Sequence, residues 1–318
     1  ADDVYDALEA AGATLEAKPV AVGFRVEHPQ SLVNGLAYGD LACRVVTGNA
    51  RTDKANLLRH PTDEALSRDS DALLPVAAYR LAADVGSHSI YSFCMCPGGQ
   101  VVPALTKPSE MVVNGMSYSR RHSLFANAAL VVSVATDDPC LDQSLGARRV
   151  LAFQRSLERK AALLGGGDYV CPVQRLTDFV EKRPPKKRPP PASSYRLGVR
   201  EASLHDDLLP DPLADALREA ATGAFERAMP GFVGDDAILH GVETRTSAPL
   251  RVVRDDGCES VSLRNLYPCG EGAGYAGGIV SAAVDGLRVA RAVLGGHGSD
   301  VGAATGVEDP QDVAAVAS

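Results

Sequence analysis

Leu266-Tyr267-Pro268-Cys269-Gly270-Glu271-Gly272-Ala273-Gly274-Tyr275-Ala276-Gly277-Gly278-Ile279 is the stretch on which the fold turns. Its first four residues read as a short strand that ends in a glycine and an acid. Five glycines lie between 270 and 278, and a helix is expected from about 278 to 294. Small or apolar residues at 279, 283, 286, 287, 290 and 294 give that helix one face able to lie close against a sheet. Such a unit has a chemical use. Glu271 can bond a chain of hydroxyls, the glycines let backbone approach a ligand, and the helix N-terminus faces an anionic group. Glycines in this number weaken a turn that binds nothing. Gly270, Glu271, Gly272, Ala273, Gly274, Tyr275, Gly277, Gly278 and Ile279 are therefore the candidate ligand-binding set.

Upstream, Val20, Val22, Phe24 and Val26 alternate with smaller or polar residues, a period-2 strand signal, and a loop is expected at His28-Pro29-Gln30. Val4, Leu8, Ala11 and Leu15 recur at helical steps, so residues 1–15 read as a helix already under way. The polar stretch 44–73 reads as a surface insertion. Runs at 78–85 and 90–95 around Gly86-Ser87-His88-Ser89 predict a hairpin with a four-residue loop. Further strands are expected at 100–105, 111–114 and 130–134, so the middle of the chain is rich in antiparallel β structure. Helices are expected at 147–164, stopped by Gly165-Gly166-Gly167, and at 212–229, opened by Asp211-Pro212. The second helix carries the stripe Leu213, Leu217, Ala220 or Ala221, Ala224 and Ala228. Lys182 to Pro191 has five basic residues and five prolines and reads as a solvated, flexible loop, and 297–318 as a disordered tail.

Composition narrows the function classes. The chain has 318 residues, 45% apolar and 23% charged, as a soluble globular protein of two domains does. A formal net charge of −8 argues against nucleic acid as a partner, because phosphate needs a basic face. No apolar run is long enough for a membrane-spanning helix. Seven cysteines at irregular spacing suit a reducing compartment better than a disulfide scaffold, and the lone Cys94-x-Cys96 lacks a second ligand pair for zinc.

The glycine-rich unit resembles the C-terminal FAD motif of two-dinucleotide-domain flavoproteins, with Glu271 in place of the usual Asp. The resemblance extends over roughly residues 3–294. It is carried by Glu16 to Gln30 (EAKPVAVGFRVEHPQ), Tyr91 to Gly99 (YSFCMCPGG), Asn114-Gly115-Met116-Ser117, Phe153-Gln154-Arg155 with Glu158-Arg159, and Gly241 to Pro249 (GVETRTSAP). On these segments the chain resembles the uncharacterised FAD-dependent dehydrogenase family, the NAD(FAD)-utilising dehydrogenases. That resemblance implies FAD as cofactor, NAD(P)H as electron donor and a small-molecule substrate. It also implies an α/β (α+β) fold. Residues 1–18 and 240–296 are then the remainder of a two-dinucleotide-type FAD-binding domain, with 19–239 as an inserted antiparallel-β substrate domain. Members of the family open with a G-x-G-x-x-G unit for the ADP half of FAD. This chain does not, so it is expected to be the C-terminal part of a longer enzyme and inactive alone. A bacterial member would be cytosolic, and the Ala-rich composition equally suits a plastid protein. A non-catalytic flavin-binding or interaction protein and a flavin-dependent RNA-modification enzyme are the competing classes.

Cys94, Cys96 and Arg245 are the candidate catalytic residues. The two cysteines can serve as a dithiol exchanging electrons with flavin, as lining of a substrate pocket, or as plain hairpin structure. Arg245 can hold an anionic substrate or the flavin's pyrimidine edge, or pair with Glu243. Asn114 and Ser117 are candidate hydrogen-bond donors, and His28 and His122 candidate proton carriers.

Overall fold

The computed structural model describes residues 2–45, 74–105, 107–184 and 189–295. Most of the 44–73 insertion, the centre of the 182–191 segment and all of 297–318 lie outside the described residues. The chain forms two compact units, one of residues 1–21, 133–156 and 245–318, the other of 22–132 and 157–244.

The first unit begins with α1 (Asp2–Ala10), shorter than the expected helix, because Ala11-Gly12 turns the chain into strand β1 (Leu15–Ala17). β1 pairs antiparallel with β11 (Leu250–Val252), in register Leu15 to Val252. Tyr5, Leu151 and Leu250 form a buried apolar cluster with Leu15 and Ala147 packed against it. The helix after the glycine turn runs Ile279–Val293, close to its predicted span. Its orientation differs from expectation. Asp285 and Val289 are buried, whereas Ile279 is 93% and Leu287 62% exposed, with Val280, Val284 and Leu294 exposed too. The inward face is chosen by Asp285, whose carboxylate binds groups of the first unit as described below.

The second unit is built on a seven-stranded sheet of order β3-β4-β7-β2-β10-β8-β9. In chain order these are β2 (Val20–Pro29), β3 (Ala82–Val85), β4 (His88–Cys96), β7 (Phe125–Val134), β8 (Cys171–Arg175), β9 (Val199–Glu201) and β10 (Ile238–Glu243). β5 (Gly99–Pro103) and β6 (Val113–Ser117) form a separate antiparallel pair. The expected antiparallel sheet is in fact mixed. β3–β4, β4–β7, β2–β10 and β10–β8 run antiparallel, but β8 and β9 are parallel. A parallel return needs a crossover rather than a hairpin, and the connection contains helix α4 (Leu176–Val180). The other helices of chain order are α2 (Gln30–Tyr38), α3 (Arg149–Gly165), α5 (Leu204–Asp207), α6 (Asp211–Ala220), α7 (Glu226–Ala228) and α8, the Ile279–Val293 helix.

Three further expectations change. The loop at 28–30 is instead the end of β2 and the start of α2, with Pro29 at the helix N-cap and the Gln30 amide donating to Ala77 O at 3.0 Å. The hairpin turn is the two residues Gly86-Ser87, since β4 starts at His88. The predicted 212–229 helix carries a π-type turn at Ala221–Phe225. That extra residue rotates the following turn, so Phe225 and Met229 are buried in place of Ala224 and Ala228. Phe225 then meets Phe232 edge-on at 5.5 Å, while Phe24 of β2 meets Phe179 at 5.3 Å.

Candidate functional site

In the first unit the predicted strand 266–269 is extended chain outside any ladder, consistent with Pro268 having no N–H to give. The turn that follows is nonetheless well fixed. Tyr275 N–H donates to Gly270 O at 3.0 Å, Gly274 N–H to Glu271 O at 2.9 Å, and Val252 N–H to Ala273 O at 3.1 Å. Gly274 sits at φ +89°, and a Cβ there would lie 2.7 Å from Leu250 O, so both conformation and space require glycine. The Tyr5 hydroxyl donates to Gly272 O at 3.1 Å. An apolar pocket of about 120 Å³ lies alongside, lined by residues including Tyr5, Val252, Pro268 and Gly272.

Asp285 of α8 ties this turn to the helix. It accepts from Gly270 N–H at 2.8 Å and from both terminal nitrogens of Arg254 at 2.5 and 3.1 Å. Arg254 also donates to Pro268 O at 2.7 Å and lies 3.6 Å above the Tyr275 ring. Burial alone would raise the Asp285 pKa, but the bonds from Arg254 and Gly270 hold it below the usual carboxylate range. Glu271 is exposed. It shares its surroundings with the Lys18 ammonium, which burial and the nearby Arg251 push below the ordinary lysine range.

In the second unit the polar face of β2 is buried, with Arg25 and Glu27 each 0% exposed. Arg25 is the hub. Nη1 donates to both oxygens of Glu243 at 2.9 and 3.0 Å and to Asn114 Oδ1 at 3.4 Å, and Nε donates to Asn127 Oδ1 at 2.8 Å. Nη2 donates to the Cys94 carbonyl and lies 3.4 Å from Cys96 Sγ. A Cβ on Gly115 would lie 2.1 Å from Nη2, so glycine at this place on β6 is what lets the guanidinium fit. A bulge in the β4–β7 ladder between Phe93 and Cys96 leaves Cys94 at φ +46°, exposed, while Cys96 is buried. A hydrogen bond from the Cys96 thiol, supported by the Arg25 charge against the effect of burial, draws the Cys94 thiol down to about 5. The same bond pushes Cys96 upward.

A family model described as "FAD-dependent protein, C-terminal domain-like" matches residues 63–246, more than half of the chain. The chain belongs to this family. A protein of Clostridium beijerinckii, named only as uncharacterized, is 40% identical over 292 residues, which cover 92% of this chain and 49% of that protein. The chain thus spans about half the length of the relative it matches. The family match takes in Cys94, Cys96, Asn114, Asn127 and Glu243 and stops before the glycine turn. The mixed α/β fold suits an FAD-dependent C-terminal domain.

The other sequence candidates of the family member fall as follows. Arg245 is exposed, and Glu243 gives both its oxygens to Arg25. Asn114 accepts from Arg25 and Gly115 N–H, and Ser117 donates to Pro97 O at 3.2 Å. His28 donates to Phe232 O at 2.8 Å, and burial pushes its pKa down to about 4. His122 packs against Tyr118 at 5.2 Å. No group of three or more metal-ligating side chains occurs among the described residues, and no helix among them is long and apolar enough to cross a membrane.

Sequence reading missed Arg25, Glu27, His240 and Asp285. The visible signal for the first two is Arg and Glu following Ala21 and Gly23 on one face of a strand, where small residues invite close packing. Glu27 accepts from Ser194 N–H at 3.0 Å and from the Ser194 hydroxyl, and lies 3.6 Å from His240. Burial pushes Glu27 up to about 7 from 4.5, against the bonds from Ser194. A carboxyl raised in this way supports the fold fully below pH 4.5, and that support is lost as pH rises through 7. Buried His240, pushed down to about 4, acts in the opposite sense over the acid side of the range. Glu27→Gln is therefore expected to lose about 2.5 kcal/mol less stability than the parent between pH 5 and pH 8. Urea unfolding of both proteins at the two pH values measures it, and parallel curves contradict it.

Proposed function

We propose that this chain is part of a flavoprotein oxidoreductase and that its glycine turn holds part of FAD. One observation carries the reading beyond the family match: the turn is rigid behind and open in front. Tyr5, Asp285 and the ladder residues fix its rear, whereas no atom lies within 4 Å of where a Cβ would sit on Gly270, Gly272 or Gly277. Exposed Glu271 would accept the ribitol hydroxyls, and Lys18 and Arg251 would supply positive charge for an anionic group. The N-terminus of α8 would face the same side, with Gly277 and Gly278 giving it backbone access. Bound there, FAD supplies the two-electron chemistry, with NAD(P)H as donor and a small molecule as substrate. The chain's own residues orient the cofactor and set its electrostatics. In this reading 1–18 and 240–296 complete a two-dinucleotide-type domain, and 19–239 carry the substrate part. Unpaired cysteines among the described residues suit a reducing compartment, the cytosol or a plastid.

The intact protein is expected to purify yellow with stoichiometric FAD. Glu271→Ala should remove one or two hydrogen bonds to the cofactor and weaken FAD binding about tenfold to a hundredfold, or about 1–3 kcal/mol. Equilibrium dialysis followed by absorption spectra reads both. An intact protein that takes up no FAD overturns the proposal, and unchanged affinity in Glu271→Ala overturns the placement of the ribitol.

A further inference from the structure

We propose that Cys94 and Cys96 form a redox-active dithiol that carries out thiol–disulfide exchange with a small disulfide, Cys94 attacking and Cys96 resolving. Three geometric facts carry this. The β4 bulge turns Cys94 outward to the surface while Cys96 stays buried two residues away. The Arg25 guanidinium touches both residues, through the Cys94 carbonyl and the Cys96 sulfur. Finally, two buried polar atoms of the same cluster, Asn127 Nδ2 and the Tyr79 hydroxyl, have no hydrogen-bond partner among the described residues. Such atoms are costly to bury idle, which marks the cluster around the pair as kept for more than packing. The depressed thiol of Cys94 agrees with the geometry, since a thiolate is the attacking species.

The exchange balances without a further reagent. Cys94 Sγ, as thiolate, attacks one sulfur of the disulfide. A Cys94–substrate S–S bond forms, the original S–S bond breaks, and the departing thiolate takes a proton from solvent. Cys96 gives its proton to solvent and attacks Cys94 Sγ. The second substrate thiolate leaves and is protonated, and a Cys94–Cys96 disulfide remains. Two protein thiols are oxidised and one substrate disulfide is reduced to two thiols. A ring closed over a single intervening residue is strained, so product thiols reopen it readily, and the pair stays oxidised only where the substrate disulfide is in large excess over free thiol. The charged or titratable groups around the pair are Arg25 on β2, Glu243 on β10 and Tyr79. Arg25 stays cationic throughout, so it can balance a thiolate or the Glu243 carboxylate as protons move.

The test uses the chain with glutathione disulfide as probe and mass spectrometry of the intact protein and its peptides. The parent is expected to lose two thiols at 94 and 96 and to carry no glutathione there. Cys96→Ser should instead accumulate one glutathione on Cys94, and Cys94→Ser should show neither change. Cys269 is an internal reference, being exposed but with its thiol raised by burial and by Asp285. At pH 6, iodoacetamide should modify Cys94 at least about tenfold faster than Cys269. Should Cys96→Ser fold poorly, as its circular dichroism would show, Cys96→Ala gives the same readout. A parent that keeps glutathione on Cys94, or equal rates at Cys94 and Cys269, overturns the proposal. None of these readouts involves flavin, so the result stands apart from the FAD reading.

Discussion

Arg25→Met is expected to lower the stability of the second unit by about 3–5 kcal/mol, because it leaves the Glu243 carboxylate buried without its cation. Arg25 is 0% and Glu243 2% exposed, so water cannot take over the lost bonds. Asn127 Oδ1 and the Cys94 carbonyl lose their donor at the same time. Burial already pushes Glu243 up to about 7, against the pull of Arg25. With Arg25 gone, Glu243 can escape its penalty only by taking a proton, so the deficit should be larger at pH 8 than at pH 5.5. Arg25→Met combined with Glu243→Met should recover much of the loss, since the pair is replaced by apolar volume rather than broken. Urea unfolding of the two variants at both pH values measures this. A deficit below about 1 kcal/mol at pH 8 would show that the cluster relaxes, and the hub role would fall.

Asp285→Ala is expected to cost about 3 kcal/mol and to loosen the glycine turn. It strips Arg254, whose side chain is 4% exposed, of its carboxylate and orphans Gly270 N–H. Asp285→Asn keeps an acceptor for one of these donors and should recover part of the loss. Because the Asp285 pKa is depressed, its contribution is present above pH 3.8 and is lost as pH falls through the lower folded-state value. The parent and Asp285→Ala should therefore converge in strong acid. Hydrogen exchange at Gly270 and unfolding curves from pH 3 to pH 7 give the two readouts. Equal Gly270 protection in parent and variant would contradict the anchoring role.

Much of the architecture was legible before any coordinates. The alternation Val20, Val22, Phe24, Val26 marks β2, Asp211-Pro212 marks the start of α6, and the glycines from 165 close α3. These are local signals, in which dihedral preference and side-chain period act within one turn or one strand. The glycine turn was legible for the same reason, since only glycine suits the conformation and space at 274.

Which faces are buried was not legible. Periodicity shows that β2 and α8 each have two unlike faces, but not what covers them. In β2 the polar face is enclosed as fully as the apolar one, because Arg25 finds Glu243, 218 positions along the chain. In α8 the apolar stripe is left exposed and the Asp285 side is drawn inward by Arg254 and Gly270. The same holds for the thiols: C-x-C alone leaves both cysteines on one face of a regular strand, and only the bulge against β7 parts them into an exposed and a buried member. The sequence by itself determined the elements, the glycine turn and the residue types available for chemistry. The tertiary structure alone decided which charges are desolvated and paired, because that depends on partners distant in the chain that meet only when it folds.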